Sequence, residues 1–200
     1  MLSLAKLKSI PRSGWITHGV SLQDVESVAD HSFSTCSLAL LIADLETQRG
    51  KHVNIERVLR LALLHDLSES LTFDISKAYL EYLGPRGAAI KKDLEQSAWK
   101  YIVDGLHNPK LYRSYSALQK EFDVEKTFES RIVHAADRLD ILLQVIEYRR
   151  RGYTEYMLAD LWSGTIKKLR SSRIQSARKI ESILIHEARK KRTGEFQGLK

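Results

Sequence analysis

The sequence has little of what β-rich, disulfide-bonded or membrane-spanning proteins need. Its 200 residues include only 10 Gly and 3 Pro, too few for the many turns of a β-protein. Cys36 is the single cysteine, which excludes an internal disulfide and favours a reducing, cytoplasmic compartment. No apolar run approaches the roughly 20 residues of a membrane-spanning helix, and the N-terminus lacks the hydrophobic core of a secretory signal. We therefore expect a cytoplasmic, helical protein without membrane segments.

The composition that remains is that of an ordinary folded domain. Hydrophobic residues make up 43% of the chain and charged residues 28%, which is typical of globular proteins and not of disordered ones. No linker, repeat or shift in composition marks a boundary, so we expect a single domain over residues 1–200. The formal net charge of +7 indicates an anionic partner.

Apolar residues recur at helical spacing along most of the chain, and no window alternates with period two. The helical segments are predicted at 28–45, 55–67, 90–102, 124–151 and 174–184. Loops or turns are predicted at 10–15, 72–77 and 84–87, where Gly, Pro and polar residues interrupt the pattern. The sequence therefore predicts an all-α fold.

Four polar side chains stand out because they interrupt these apolar helices. His65 and Asp66 are adjacent at the end of the second segment, His31 lies near the start of the first, and Asp137 lies in the middle of the fourth. A His-Asp pair at a helix end is commonly just solvated, with His favoured by the helix dipole. A charge such as Asp137 amid apolar neighbours needs a partner, and a cation shared with imidazoles and carboxylates would be one.

The order His31, His65-Asp66, Asp137 resembles the H…HD…D signature of the HD-domain metal-dependent phosphohydrolases. The flanking blocks at 11–15, 26–31 and 65–69 are similar to those of the 5′-deoxynucleotidase branch of that family. The resemblance covers about residues 8–155 and implies a single helical HD domain. A C-terminal helical extension and basic tail would then occupy about 156–200.

This resemblance implies a set of site residues and a reaction. The implied metal ligands are His31, His65, Asp66 and Asp137, for a divalent Mn, Co, Ni, Fe, Zn or Mg ion. The implied catalytic residues are Glu69 and Asp74, and the implied substrate-binding residues are Arg12 and Trp15. The implied reaction is hydrolysis of nucleoside 5′-monophosphates, with deoxyribonucleotides preferred, and family members resemble one another in forming homodimers.

The chemistry of these residue types agrees with such roles, with alternatives left open. Glu69 follows His65 by four residues, so a helical turn would bring it beside the metal to orient water or carry a proton. A solvated carboxylate is its other interpretation. Arg12 has the planar fork that binds phosphate bidentately, and Trp15 lies either against the sugar or against the core. Asp140 is a candidate for supporting a ligand, contacting the sugar or pairing with an Arg.

Two other functions compete with this reading. One is an HD phosphohydrolase that acts on a cyclic or triphosphorylated nucleotide. The other is a nucleic-acid-binding module, because residues 167–192 hold ten Lys or Arg and only two acids. That second alternative leaves the four convergent ligands unexplained, so nucleic acid is the less favoured partner.

Overall fold

The computed structural model describes residues 2–105 and 107–190, and within these ranges the secondary structure is helical apart from one isolated bridge between Pro11 and Ser27. A 3-10 helix, Leu2–Lys8, comes first. The α-helices that follow are α1 (Ser13–Thr17), α2 (Val28–Gln48), α3 (Ile55–Leu64), α4 (Glu69–Thr72), α5 (Lys77–Glu81), α6 (Pro85–Asp104), α7 (Pro109–Val124), α8 (Phe128–Arg150), α9 (Glu155–Ser171) and α10 (Gln175–Lys190). In the described ranges, no helix has the length and apolar character needed to span a membrane.

Polar caps set where the long helices begin. Ser27 and Asp30 form a reciprocal capping box at the start of α2, in which each side chain accepts from the other residue's backbone N–H. Asn54 accepts from the backbone of the first turn of α3, and Thr127 does so for α8. Each such cap stabilises its helix by about 1 kcal/mol. The capping box also fixes the first turn of α2, which carries His31.

Helices α2 and α8 form the centre of the fold. They pack against each other, α3 packs against both, and α9 and α10 cover α8. The fully buried side chains between them come from α2, α3, α8 and α9 and from the residue before α10: Ile42, Leu61, Ile132, Leu139, Leu142, Leu169 and Ile174. This packing brings the start of α2, the end of α3 and the middle of α8 together.

The predicted all-α fold is confirmed, although the short helices α1, α4 and α5 and the longer α7 were not predicted, and α9 was expected only as part of a helical extension. Helices α7 and α9 bury few side chains, Leu118 alone in α7, so their apolar periodicity is weak. Helix α8 begins at Phe128 and not at 124, because Glu125 adopts a left-handed backbone (φ 53°) and Thr127 caps the helix. The predicted extension forms α9 and α10, whereas residues 191–200 of the basic tail lie outside the described residues.

Candidate metal centre

The four predicted ligand residues meet at one point. His31 lies in the first turn of α2, His65 and Asp66 follow the end of α3, and Asp137 lies in α8. The Nε2 atom of His31 is 3.3 Å from Nε2 of His65 and 3.3 Å from Oδ1 of Asp137. Oδ2 of Asp66 lies 3.4 Å from the first imidazole and 3.2 Å from the second. Two nitrogens and two oxygens thus converge within bonding reach of one small ion.

A change in backbone geometry after α3 positions the His-Asp pair. The helix ends at Leu64, three residues earlier than the periodicity predicts, and the chain continues in tighter turns. The N–H groups of Leu67 and Glu69 donate to the carbonyls three residues before them, at 3.2 Å and 3.1 Å. These turns hold two adjacent side chains so that both reach the same point.

The hydrogen bonds on the far side of each imidazole determine what its Nε2 can do. Nδ1 of His31 lies 2.7 Å from Oδ2 of Asp140, and Nδ1 of His65 lies 2.7 Å from the carbonyl oxygen of Ala62. Both partners are acceptors, so each Nδ1 carries a proton and each neutral ring presents a lone pair at Nε2. When both rings are neutral, two lone pairs and two carboxylate oxygens face one another. This donor set fits a divalent cation.

The electrostatics of the cluster also call for positive charge. Burial would lower the pKa of His31, but its hydrogen bonds to Asp137 and Asp140 raise that pKa to about 10. Burial would raise the pKa of Asp137, but the hydrogen bond and charge of His31 hold it at about 2. The pKa of Asp66 also lies far below its usual range, because its interactions with His65, Arg12 and His31 outweigh its burial. A proton on His31 therefore takes the place of a cation when none is bound.

Arg12 lies at the edge of this cluster, as a phosphate-binding residue should. Its Nη1 donates to Oδ2 of Asp66 at 3.2 Å, and about a sixth of its side chain remains exposed. Its own backbone N–H donates to the carbonyl of Glu26 at 3.0 Å, which ties the preceding loop to the start of α2. The guanidinium is therefore held beside the ligands and keeps further N–H donors for a phosphate.

Glu69 is a buried carboxyl group next to the cluster. It begins the short helix α4, and only 4% of the residue is exposed. Its Oε2 has no hydrogen-bond partner among the described residues. Burial, followed by the negative charges of Asp66 and Asp74, raises its pKa to about 10. The solvated alternative is therefore excluded, and without a cation this carboxyl holds its proton at neutral pH.

The other two predicted site residues have clear structural contacts. Oδ2 of Asp74 accepts from the backbone N–H of Ser13 at 2.6 Å, which holds it at the start of α1 beside Arg12. Trp15 is 3% exposed, its ring packs edge-on against Tyr148 with centroids 5.1 Å apart, and it packs against the core. These contacts agree with the packing alternative for Trp15, and its contact with a sugar stays a prediction.

Two carboxylates behind the cluster were not assigned from the sequence. Asp140 contacts Nδ1 of His31, as described above. Of its three alternatives, this contact favours the support of a ligand residue over a sugar contact or an ion pair with an Arg. Glu26 accepts from Nε1 of Trp15 at 2.7 Å, and burial together with Asp140 raises its pKa to about 7. In the sequence, Asp140 could have been noticed because it lies one helical turn after Asp137. Glu26 could have been noticed because it lies inside the block at 26–31.

A comparison with protein families decides the membership of the chain. The family model described as "HD domain" matches residues 4–186. The chain belongs to the HD domain family. The 5′-deoxynucleotidase HDDC2 of Danio rerio is 32% identical over 148 residues, which cover 74% of this chain and 67% of that protein. The protein of the same name from Homo sapiens is 29% identical over 165 residues, which cover 82% and 74%.

Solved structures agree with this membership. A conserved hypothetical protein from Pyrococcus furiosus is 30% identical, with a TM-score of 0.75 over 94% of this chain and 96% of that one. An HD-domain phosphohydrolase from Listeria innocua shares the fold at 23% identity, with a TM-score of 0.76 over 94% and 86%. The predictions of an HD domain and of a metal-dependent hydrolase are thereby confirmed.

Proposed function

We propose that this HD-domain hydrolase is a phosphomonoesterase that removes phosphate from nucleoside 5′-monophosphates and prefers deoxyribonucleotides. The observation that carries the proposal is the convergence of four ligand atoms with a phosphate-binding guanidinium and a protonated buried carboxyl group. The relatives named 5′-deoxynucleotidase, at 32% and 29% identity, support the substrate class.

In this proposal His31, His65, Asp66 and Asp137 hold a divalent cation. Their nitrogen and oxygen donors suit Mn, Fe, Co, Ni or Zn, and Mg is the remaining candidate. When bound, such a cation supplies positive charge for phosphate oxygens and lowers the pKa of water. Asp140 keeps His31 in the tautomer that ligation requires.

Arg12 binds the substrate phosphate and orients it. Its guanidinium provides parallel N–H donors that match two phosphate oxygens. Its contact with Asp66, and the hydrogen bond from the neighbouring Ser13 to Asp74, hold the group before substrate arrives. Loss of Arg12 should therefore weaken substrate binding and slow turnover.

Glu69 carries the proton that hydrolysis must move. The attacking water loses a proton, and the departing 5′-oxygen gains one. A buried carboxyl group with a raised pKa can exchange protons with both, which contributes roughly 10²- to 10⁴-fold in rate. Asp74 is the second acid that we propose for this exchange, since its charge acts on the pKa of Glu69.

The test is phosphate release across a panel of nucleotides and metals. We expect turnover of 5′-monophosphates only with added divalent metal, and at least about tenfold faster turnover of dAMP than of AMP. Asp137→Asn is the inactive control, and the exposed Arg113→Gln on α7 is the matched neutral one. Equal turnover of dAMP and AMP would contradict the sugar preference. Turnover confined to cyclic or triphosphorylated nucleotides would favour the other HD phosphohydrolase activity.

We also propose that the protein is a cytoplasmic homodimer. Phe33, Leu40 and Leu41 share one face of α2, and all three are exposed, Phe33 by 76%. Such a face is typical of a surface covered by a partner. Sedimentation should show a dimer for the parent protein and a monomer for Phe33→Ser, and a monomeric parent would contradict the proposal. The argument for a cytoplasmic location is still that the sequence has a single cysteine, Cys36.

A further inference from the structure

A basic groove lies far from the metal centre. It is a cavity of about 740 Å³ between the C-terminal ends of α2 and α9 and one face of α10. Arg49 at this end of α2 follows His31 by 18 residues, about 27 Å along a helix axis. The charged side chains that line the groove are Arg49, Arg170, Arg178, Lys179, Glu181 and Arg189.

Buried carboxylates hold two of these cations from below. Glu181 is 3% exposed, and its Oε1 accepts from Nε of Arg170 at 3.3 Å. Glu46 is 2% exposed; its Oε2 lies 3.9 Å from Nε of Arg49, and its Oε1 accepts from the backbone N–H of Ser176 at 2.8 Å. Both arginines are contacted through Nε, so their terminal nitrogens keep four N–H donors each. The groove therefore combines two buried carboxylates with arginine side chains whose outer parts are exposed.

Helix α10 adds further cations along the groove. Arg178, Ser182 and Arg189 are spaced by four and seven residues on one face, and the two arginines are separated by about 16 Å along the axis. Ala177, one helical turn before Glu181, packs into the core beside the groove. In the described part of the chain, the lining contains no Trp, Tyr or Phe that could stack on a base. Recognition here must depend on charge and N–H donors.

We propose that this groove binds a polyphosphate group, a short chain of linked phosphates, either free or as the triphosphate of a nucleotide. Five cations against the two carboxylates of Glu181 and Glu46 leave a surplus of about three positive charges, which exceeds what a single phosphate needs, and the open groove has room for a chain of phosphates. A nucleic-acid strand is typically bound by a basic track with aromatic rings for its bases, and the lining lacks those rings. Arginine forks bind phosphate oxygens bidentately.

Calorimetric titration of the full chain tests this proposal without any measurement of activity. The probes are inorganic triphosphate and ATP, with a chelator present and about 0.15 M salt. Arg12→Ala serves as the background, so that binding at the metal centre does not contribute. Arg178→Glu/Arg189→Glu and, separately, Lys179→Glu change exposed residues and should weaken binding at least about tenfold. The exposed Arg113→Glu on α7 is the net-charge control for Lys179→Glu, and Lys110→Glu/Arg113→Glu is the control for the double variant; each should have less than about twofold effect.

Each outcome supports or overturns the proposal. Equal affinities for the two probes identify the phosphate chain as the recognised group, and tighter binding of ATP identifies the nucleotide form. The proposal is overturned if neither probe binds, or if Arg113→Glu weakens binding as much as the groove variants do. It is also overturned if a DNA oligonucleotide binds this face and both probes fail, because the groove would then be a nucleic-acid surface.

Discussion

Replacing Glu69 with Gln separates proton transfer from metal binding. The amide keeps the shape of the side chain and removes the ionisable proton. We expect kcat to fall by about 10²-fold or more at saturating metal. Metal content should stay at the parent level, because the four ligand atoms belong to other residues. KM should change little, because we propose that the substrate phosphate is held by Arg12 and not by Glu69.

The same substitution has an effect on stability that depends on pH. Without metal, the folded protein holds the Glu69 proton up to a pKa of about 10, against an ordinary value of 4.5. A raised carboxyl pKa stabilises the folded state at low pH, and this stability is lost as pH rises above the unfolded value. The loss is about 1.4 kcal/mol per pH unit in that window. Between pH 6 and pH 8 the free energy of unfolding of the parent should fall by up to about 3 kcal/mol, and that of Glu69→Gln should not show this decrease.

Urea unfolding of the metal-free proteins at the two pH values measures this difference in stability. Elemental analysis measures the metal content, and steady-state kinetics measures kcat. Glu56→Gln, an exposed change on α3, is the matched control and should alter none of the three. A variant that keeps both metal and full rate would refute the proton role, which would then pass to Asp74. A variant that loses metal, and regains full rate when metal is raised, would make Glu69 a support of the ligands.

Three further predictions concern the groups around the cluster. Asp140→Asn should weaken metal affinity about 10- to 100-fold in competition with a chelator, with kcat recovering at saturating metal, because the amide holds His31 less firmly; unchanged affinity would contradict this. Below pH 10, metal binding should displace the proton on His31. The affinity for the metal should therefore increase by up to about tenfold for each unit by which the pH is raised. Calorimetry in buffers of different ionisation enthalpy should detect that proton, and its absence would mean that His31 is already neutral. Trp15→Phe should cost about 1–3 kcal/mol because Glu26 loses its hydrogen bond, and Trp15→Ala about 3–5 kcal/mol in urea unfolding. If Trp15→Ala leaves the ratio of dAMP to AMP turnover unchanged, the sugar contact is refuted.

The helical period is clearest in the sequence where a helix buries many side chains. In α8, buried residues recur from Ile132 to Tyr148, so the helical period is visible in the sequence. Helix α7 buries only Leu118 and is otherwise polar, so its period is hidden although Asn108 caps it with two hydrogen bonds. Whether such a segment forms a helix is decided by its packing in the tertiary structure, which the periodicity of the sequence does not reveal.

Some residues of the candidate site could also be predicted from the sequence, and others could not. The ligand types could be predicted because charges such as Asp137 are conspicuous inside apolar helices. Their partners could not, because the contact of Asp140 with His31 joins residues 109 positions apart. The end of α3 was also hidden, since Leu67 continues the apolar pattern after the helix has ended at Leu64.

The proton on Glu69 and the charge of the metal centre must be linked. Without a cation, burial and then the negative charges of Asp66 and Asp74 raise the pKa of Glu69 to about 10, too high for efficient proton exchange at neutral pH. A divalent cation in place of the His31 proton adds one net positive charge beside Asp66. The repulsion that raises the Glu69 pKa is then partly cancelled, and the pKa moves down towards neutrality. If the proposed ligands hold a cation, Glu69 would be a better proton donor in the metal-bound state, and this would couple the proposed proton step to metal binding.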